Sequence, residues 1–239
     1  MIKLDIIIPV YNEGQNIINL VKNLESEIAC DFQILICYDD ESDNTLNFLR
    51  KYNLGKSNIL FVRNPQQGPN SAIQAGINSS EAEIILIYMA DDFENINLIN
   101  KMVNLIEDGN DLIIPSRFVE GGKMLGAKRV KKIVTVLGSY LIYYIAGIPF
   151  KDCTNAFKMF SRNLKNKIKF ESTKGFTFAL ELTAKSYFLK SKIYEIPSTW
   201  IEEPNRKSNF KIIKWLPYYI YWLFYSILRN YFSKIKKND

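Results

Sequence analysis

The sequence predicts an α/β fold: a mostly parallel mixed sheet with helices on both faces. Three observations carry that expectation. Runs of consecutive apolar residues alternate through the first half with stretches of helical apolar spacing. The runs lack the in–out alternation of a half-exposed strand, so both their faces are buried, as in a sheet sandwiched between helices. Polar residues then collect just past the carboxyl end of each run, where ligands of such sheets bind.

Taken in order, LDIIIPV (4–10) is the first strand and EGQNIINLVKNLES (13–26) the first helix. FQILICY (32–38) with DNTLNFLRKY (43–52), NILFVRN (58–64) with GPNSAIQAGINS (68–79), and EIILIYM (83–89) with INLINKMVNLIED (96–108) repeat the pattern. DLIIPS (111–116) closes the series. VEGGKMLGAKRVKK (119–132) reads as a basic loop, because glycines and lysines interrupt any apolar period. DCTNAFKMF (152–160) leads into a short strand, GFTFALELTAKSYFL (175–189) is a helix, KIYEIPSTWIEE (192–203) a strand and PNRKSNFK (204–211) a loop. An aromatic helix and a basic tail finish the chain. The expected division is one domain over 1–209 and a membrane-associating helix and tail over 210–239.

Composition excludes several chemistries. The 239 residues are 47% apolar, enough for a sizeable core. There is no histidine, which removes imidazole catalysis, His-based zinc sites and Ser-His-Asp triads. Cys30, Cys37 and Cys153 are odd in number and lack paired spacing, pointing to a reducing compartment. The net charge of +6 suggests an anionic partner, but no motif for nucleic acid accompanies it, and none is expected to bind. No secretory leader is expected, since the chain opens directly into a strand. The uncharged stretch 133–150 is borderline in length for a spanning helix and 215–228 is too short to span comfortably; both contain aromatic residues and are flanked by Lys and Arg. They are expected to lie on or dip into a membrane surface.

The stretch IYMADDFENI poses the sharpest question, because Asp91 and Asp92 crowd negative charge at the end of a buried strand. A divalent cation, Mg²⁺ or Mn²⁺, carrying a nucleotide diphosphate would answer it. A cap for the helix beginning near Asn95 would answer it equally well. Asp39, Asp40, Glu41 and Asp43 form a second acidic cluster, suited to a base or ribose or, for Asp43, to a helix cap. Neither type of glycine-rich phosphate fingerprint is present, so a diphosphate would depend on the metal and on cations. Arg117, Lys123, Lys128, Arg129, Lys131, Lys132 and Arg206 lie in or beside the loops expected over the crevice. Arginine there suits bidentate phosphate contacts; for any single lysine a solvated surface is the default.

These motifs resemble the family 2 glycosyltransferases of the Rossmann-like GT-A fold, most closely the branch of polyprenyl-phosphate (dolichol-phosphate) sugar synthases. The likeness runs through IIIPVYNE, YDDESDNT, NPQQGPNSAIQAG, MADD, PSRF, GGKMLGAKR, DCTNAFKMF, STKGFTFALEL, EIPSTWIEEPNRKSNFK and KWLPYYIYW, in that order. The resemblance implies a nucleotide-sugar donor bound by Pro9, Tyr11, Glu13, Asp39, Asp40, Gly68, Asn70 and Ala90. It implies a metal at Asp91, with Asp92 in support, an acceptor phosphate facing Arg117 and Lys131, and Arg206 closing over the donor phosphates. Met89 departs from the pattern, standing where many relatives have Asp, and Lys207 fills a place usually held by Gly.

The implied reaction is inverting transfer of a sugar from a nucleoside diphosphate to a membrane acceptor, most simply polyprenyl phosphate. Such a phosphate is already ionised at neutral pH and needs no strong base. A glycan hydroxyl in cell-surface polysaccharide or lipopolysaccharide assembly would need one, and Asp152 is the candidate, with a turn residue as the plainer alternative. A silent nucleotide-sugar-binding subunit is the non-enzymatic alternative. The expected location is cytoplasmic, peripheral to the cytoplasmic face of the membrane.

Overall fold

The structure is a computed structural model that describes residues 2–52, 58–127, 129–202 and 212–235, without the side chains of Val130, Lys131, Ile212, Ile213 and Lys234. In the first half β1 (Leu4–Pro9), α1 (Asn16–Glu27), β2 (Phe32–Tyr38), α2 (Asn44–Lys51), β3 (Ile59–Arg63), α3 (Pro69–Ser79), β4 (Ile84–Ile87), α4 (Leu98–Glu107) and β5 (Leu112–Ser116) alternate as expected. There follow β6 (Lys123–Leu125), α5 (Arg129–Tyr140), a π-helical turn (Leu141–Ile145) and β7 (Lys158–Ser161). The chain continues with α6 (Arg162–Lys167), α7 (Phe178–Phe188), β8 (Ile193–Pro197), β9 (Thr199–Ile201) and α8 (Ile212–Ile235).

Seven strands form one sheet in the order β3-β2-β1-β4-β7-β5-β8. All neighbours run parallel except β7, which lies antiparallel between β4 and β5. Side chains alternate across the sheet. Ile6, Ile8, Ile34, Ile36 and Leu86 join a core with α1, α2 and α4, while Ile7, Leu35, Cys37, Ile85 and Ile87 join another with α3 and α7. Both sets are essentially fully buried, which is why the strands read as unbroken apolar runs. α3 lies especially close to the sheet: a Cβ on Gly76 would stand 2.5 Å from Ile7 Cγ2 and 2.7 Å from Cys37 Sγ.

The second half departs from the expectation in three places. The basic loop over 119–132 contains β6, which pairs with β9 in a small two-stranded sheet and runs into α5. Three residues are too few to show a period, so only the partner strand reveals β6. The single strand expected over 192–203 is two, broken at Ser198, whose N–H donates to Ser116 and whose carbonyl accepts from Lys123. α6 had no apolar period to betray it; the Ser161 hydroxyl caps it, accepting from the Leu164 N–H.

The aromatic C-terminal helix is present as α8. Trp222 buries itself among Ile142, Ala146, Ile148, Leu180 and Ala184, docking α8 on α7 and the π-helical turn. Trp215 packs edge-on against Phe176 and fills the space beside Gly175. Away from these contacts, Ile133, Leu137, Tyr140, Tyr144 and Ile145, with Tyr221, Phe224, Leu228, Tyr231 and Phe232 of α8, are more than half exposed. No helix among the described residues is long and apolar enough to cross a membrane.

Candidate active site at the carboxyl edge of the sheet

The loop after β1 is stapled to the start of α2. The Asn12 N–H donates to both Asp43 oxygens at 3.1 Å, the Glu13 N–H to Thr45 Oγ1 at 3.0 Å and the Gly14 N–H to Asn44 Oδ1 at 2.9 Å. Asn12 holds φ at +56°, the left-handed region that Asn tolerates better than most residues. Pro9 and Glu13 are half-buried and Tyr11 is 62% exposed, so its ring is available at the rim.

The second acidic cluster separates into distinct jobs. Asp43 is buried and caps α2, accepting from the Thr45 N–H at 2.9 Å. Glu41 is taken by the Tyr38 hydroxyl and Arg50. Asp40 is exposed, and hydrogen bonds from Ser42 lower its pKa. Asp39 alone bridges two strand ends: Asn64 Nδ2 donates to Oδ1 at 2.6 Å and the Gly68 N–H to Oδ2 at 2.8 Å. Gly68 sits at φ +105°, a conformation only glycine adopts easily, so this bridge depends on it.

Asn70 is tied to a later segment of the chain. It is buried, its Nδ2 donates to the Ser172 carbonyl at 2.7 Å, and its Oδ1 accepts from the Phe178 N–H at 3.1 Å. With both ends of the amide occupied, it braces α3 against α7.

At the end of β4, Tyr88 and Ala90 are buried, Asp91 is exposed and Asp92 is turned inward. Asp92 accepts from the Glu94 and Asn95 N–H groups and, through both oxygens, from Asn95 Nδ2 at 2.9 and 2.8 Å. Burial pushes its pKa up to about 6, against these hydrogen bonds. Of the expected pair, Asp91 is the exposed carboxylate and Asp92 is half-buried and hydrogen-bonded within the turn. Met89 is packed partly against the apolar core. No cluster of three His, Cys, Asp or Glu suited to a metal occurs among the described residues. One exposed carboxylate still fits Mg²⁺ or Mn²⁺, because these ions are commonly held by one or two carboxylates plus substrate phosphates.

Because β7 runs antiparallel, its start brings residues 152–157 to the same edge. Arg117, just past β5, forms a two-pronged pair with Asp152: Nε to Oδ2 and Nη2 to Oδ1, both 2.7 Å. The Arg117 N–H adds a bond to Oδ2 at 3.0 Å. Burial works against the guanidinium's charge, but Asp152 outweighs it and raises the pKa. Asp152 is itself fully buried, with both oxygens committed to Arg117. Tyr219 of α8 lies close enough for Arg117 to oppose the rise that burial gives its phenol pKa.

Two residues that sequence reasoning passed over hold this pair. Glu195 on β8 accepts from the Lys151 and Asp152 N–H groups at 3.0 and 2.9 Å. Lys158 is fully buried, its amine 3.4 Å from the Asp152 carbonyl and its pKa pushed down to about 8 by burial. A lone charge inside the apolar runs AFKMF and IYEIP was the available signal. Lys123, Arg129 and Lys132 are exposed nearby in sequence; Lys131 lies on α5, its side chain outside the described parts, and Lys128 and Arg206 are outside the described residues.

A family model for glycosyl transferase family 2 matches residues 5–169, which include the Asp39 bridge, the Asp91 turn and the Arg117–Asp152 pair. The chain belongs to glycosyl transferase family 2. Among relatives of this family-2 chain, a dolichol-phosphate mannosyltransferase of Pyrococcus furiosus is 24% identical over 87% of the chain and 59% of its own length. A polyprenol monophosphomannose synthase of Mycolicibacterium smegmatis is 24% identical over 88% of the chain and 85% of its length. The chain thus spans less than two thirds of the first relative. In fold it resembles glucosyl-3-phosphoglycerate synthase of Mycobacterium tuberculosis, solved with Mn²⁺, UDP and glucosyl-3-phosphoglycerate. That match has a TM-score of 0.68 at 12% identity, over 95% of this chain and 79% of the other. The expected GT-A architecture is borne out.

Proposed function

We propose that this family-2 glycosyltransferase moves a sugar from a nucleoside-diphosphate sugar to polyprenyl phosphate at a membrane surface, with inversion at the anomeric carbon. The observation that carries the reading is the position of Arg117. It stands at the same sheet edge as Asp39 and Asp91 and beside Tyr219 of α8, so donor groups and the exposed aromatic helix meet at one cation.

In this reading Tyr11, Glu13 and the Asp39–Gly68 bridge hold the nucleoside, Ala90 keeps the floor of the turn small, and Asp91 faces the diphosphate. A divalent cation, Mg²⁺ or Mn²⁺, would stabilise charge on the departing diphosphate when bound. Asp152 fixes the plane of the Arg117 guanidinium in advance, which lowers the cost of ordering it around an acceptor phosphate. Lys131 and Arg206 are proposed to add charge to the acceptor and donor phosphates. An ionised phosphate needs no proton removed, which suits a chain without histidine. Transfer to a glycan hydroxyl is less well supported, because the expected base is locked in the Arg117 pair.

Residues 1–209 are proposed as the catalytic unit and 210–239 as the membrane-associating part. The exposed aromatic residues of α5, the π-helical turn and α8 suit the headgroup layer, where rings with polar tips accumulate. Placement on the cytoplasmic face would keep the three free cysteines reduced. The test is transfer of radiolabelled sugar from UDP- and GDP-sugars to polyprenyl phosphate in vesicles, for wild type and Asp91→Ala. Lipid-linked product from wild type alone supports the proposal; product formed only with a saccharide acceptor, or undiminished in the variant, rejects it.

A further inference from the structure

Asn95 makes an unusual set of bonds for a loop asparagine. It is 4% exposed. Its Nδ2 donates to both Asp92 oxygens and also to the Thr199 carbonyl at 2.7 Å, while its Oδ1 accepts from the Thr199 N–H at 3.0 Å. Toward β9 the amide behaves as a strand neighbour would, offering one donor and one acceptor to the same residue. Toward the turn it pairs with both oxygens of Asp92, and the Tyr88 hydroxyl holds the Asp92 carbonyl at 2.8 Å on the other side. One buried side chain therefore ties the acidic turn after β4 to the start of β9, 104 residues away.

We propose that Asn95 is a positioning residue for the donor: it fixes Asp92 against β9 so that Asp91, next in the chain, is presented outward to the diphosphate. The inference rests on the reading of Asp91 as the donor-facing carboxylate. Its logic is steric and electrostatic. Asp91 and Asp92 are adjacent like charges in a turn closed by the Asp92 N–H on the Met89 carbonyl at 3.1 Å. Asn95 adds a side-chain tie to that closure, because a carboxylate paired with its amide is favoured on the inner side. Loss of Nδ2 would leave Asp92 with only the two longer backbone bonds from Glu94 and Asn95 and the Thr199 carbonyl without its amide donor, loosening the turn toward solvent. Asp91 would then no longer be held in one place. Preorganisation of this kind separates a site that captures a metal–diphosphate complex from one that must first be ordered.

The experiment uses the full chain and measures the affinity of UDP and GDP by titration calorimetry, each with and without Mn²⁺, for wild type, Asn95→Ala and Asn95→Asp. Asn95→Asp is nearly isosteric and keeps the acceptor for Thr199 but removes the donor and repels Asp92. Thermal unfolding of each variant is recorded alongside. The expected result is a Mn²⁺-dependent gain in nucleotide affinity for wild type that falls about tenfold or more in both variants, with metal-free affinity unchanged. A merely structural role would weaken metal-free and metal-dependent binding together, or only lower the unfolding temperature, and either pattern overturns the proposal. So does a metal-dependent gain that survives intact in a folded variant. If wild type shows no metal-dependent gain with either nucleotide, the Asp91 reading fails and the assignment of Asn95 falls with it. If Asn95→Ala does not fold, Asn95→Asp decides the outcome alone.

Discussion

Arg117 and Asp152 meet side-on through two bonds of 2.7 Å, with the arginine side chain 10% exposed and the aspartate wholly buried. A buried pair of this kind contributes little over a well-packed apolar alternative, but breaking it leaves an uncompensated charge. Asp152→Asn preserves shape and removes the charge. It should cost about 3–5 kcal/mol of stability, lowering Tm by roughly 10 °C in a chain of this size. Calorimetry or urea unfolding checks this; a loss below about 1 kcal/mol would place the pair among exposed, weakly coupled bridges.

Lys158 gives the same cluster a pH signature. Its folded pKa, about 8, is below the ordinary 10.5 because burial disfavours the charged amine. Between those values the unfolded chain holds a proton that the folded chain has released, so this group adds stability as pH rises from about 8 toward 10.5. Urea unfolding of wild type and Lys158→Met, compared at both ends of that window, should show wild type gaining relative to the variant. A flat difference would mean the lysine titrates normally.

Packing supplies a paired prediction at two glycines. Gly76→Ala forces a methyl group into Ile7 and Cys37, both in the sheet, and should destabilise by about 1–3 kcal/mol. Gly138→Ala in α5 meets nothing within 4 Å and should stabilise by roughly 0.5–1 kcal/mol. Thermal unfolding of the two variants should move in opposite directions.

The aromatic face can be tested apart from catalysis. Tyr144, Tyr221, Phe224 and Phe232 are exposed and lie outside the packed side of their helices. A Tyr221→Ser/Phe224→Ser variant should keep the wild-type Tm and bind phosphatidylcholine–phosphatidylglycerol vesicles at least about tenfold more weakly. Unchanged co-sedimentation would remove this face as the docking surface.

The first half was readable because its strands are buried on both faces and its helices are amphipathic, so Ile6–Ile8 and Ile34–Ile36 announce themselves without tertiary context. β6 and the break at Ser198 were not readable, since each is defined by a partner far away in the chain. At the site, residue type indicated the right turns but not the direction of each side chain. Asp91 and Asp92 are chemically equal in sequence; in the fold Asp92 pairs with the amide of Asn95 and Asp91 is exposed. Asn70 looked like a rim residue and is a brace, because Ser172 and Phe178 reach it from a segment about a hundred residues later. Asp152 read either as a base or as a turn residue; its pairing with Arg117 is visible only once β7 is known to run antiparallel.

The most direct measurement is the anomalous signal from a crystal soaked with Mn²⁺ and a nucleoside-diphosphate sugar. A manganese peak within coordinating distance of an Asp91 oxygen and of the donor's diphosphate is the predicted result. A diphosphate bound at the sheet edge with its metal on Asp92 or elsewhere, and Asp91 in solvent, would contradict the account.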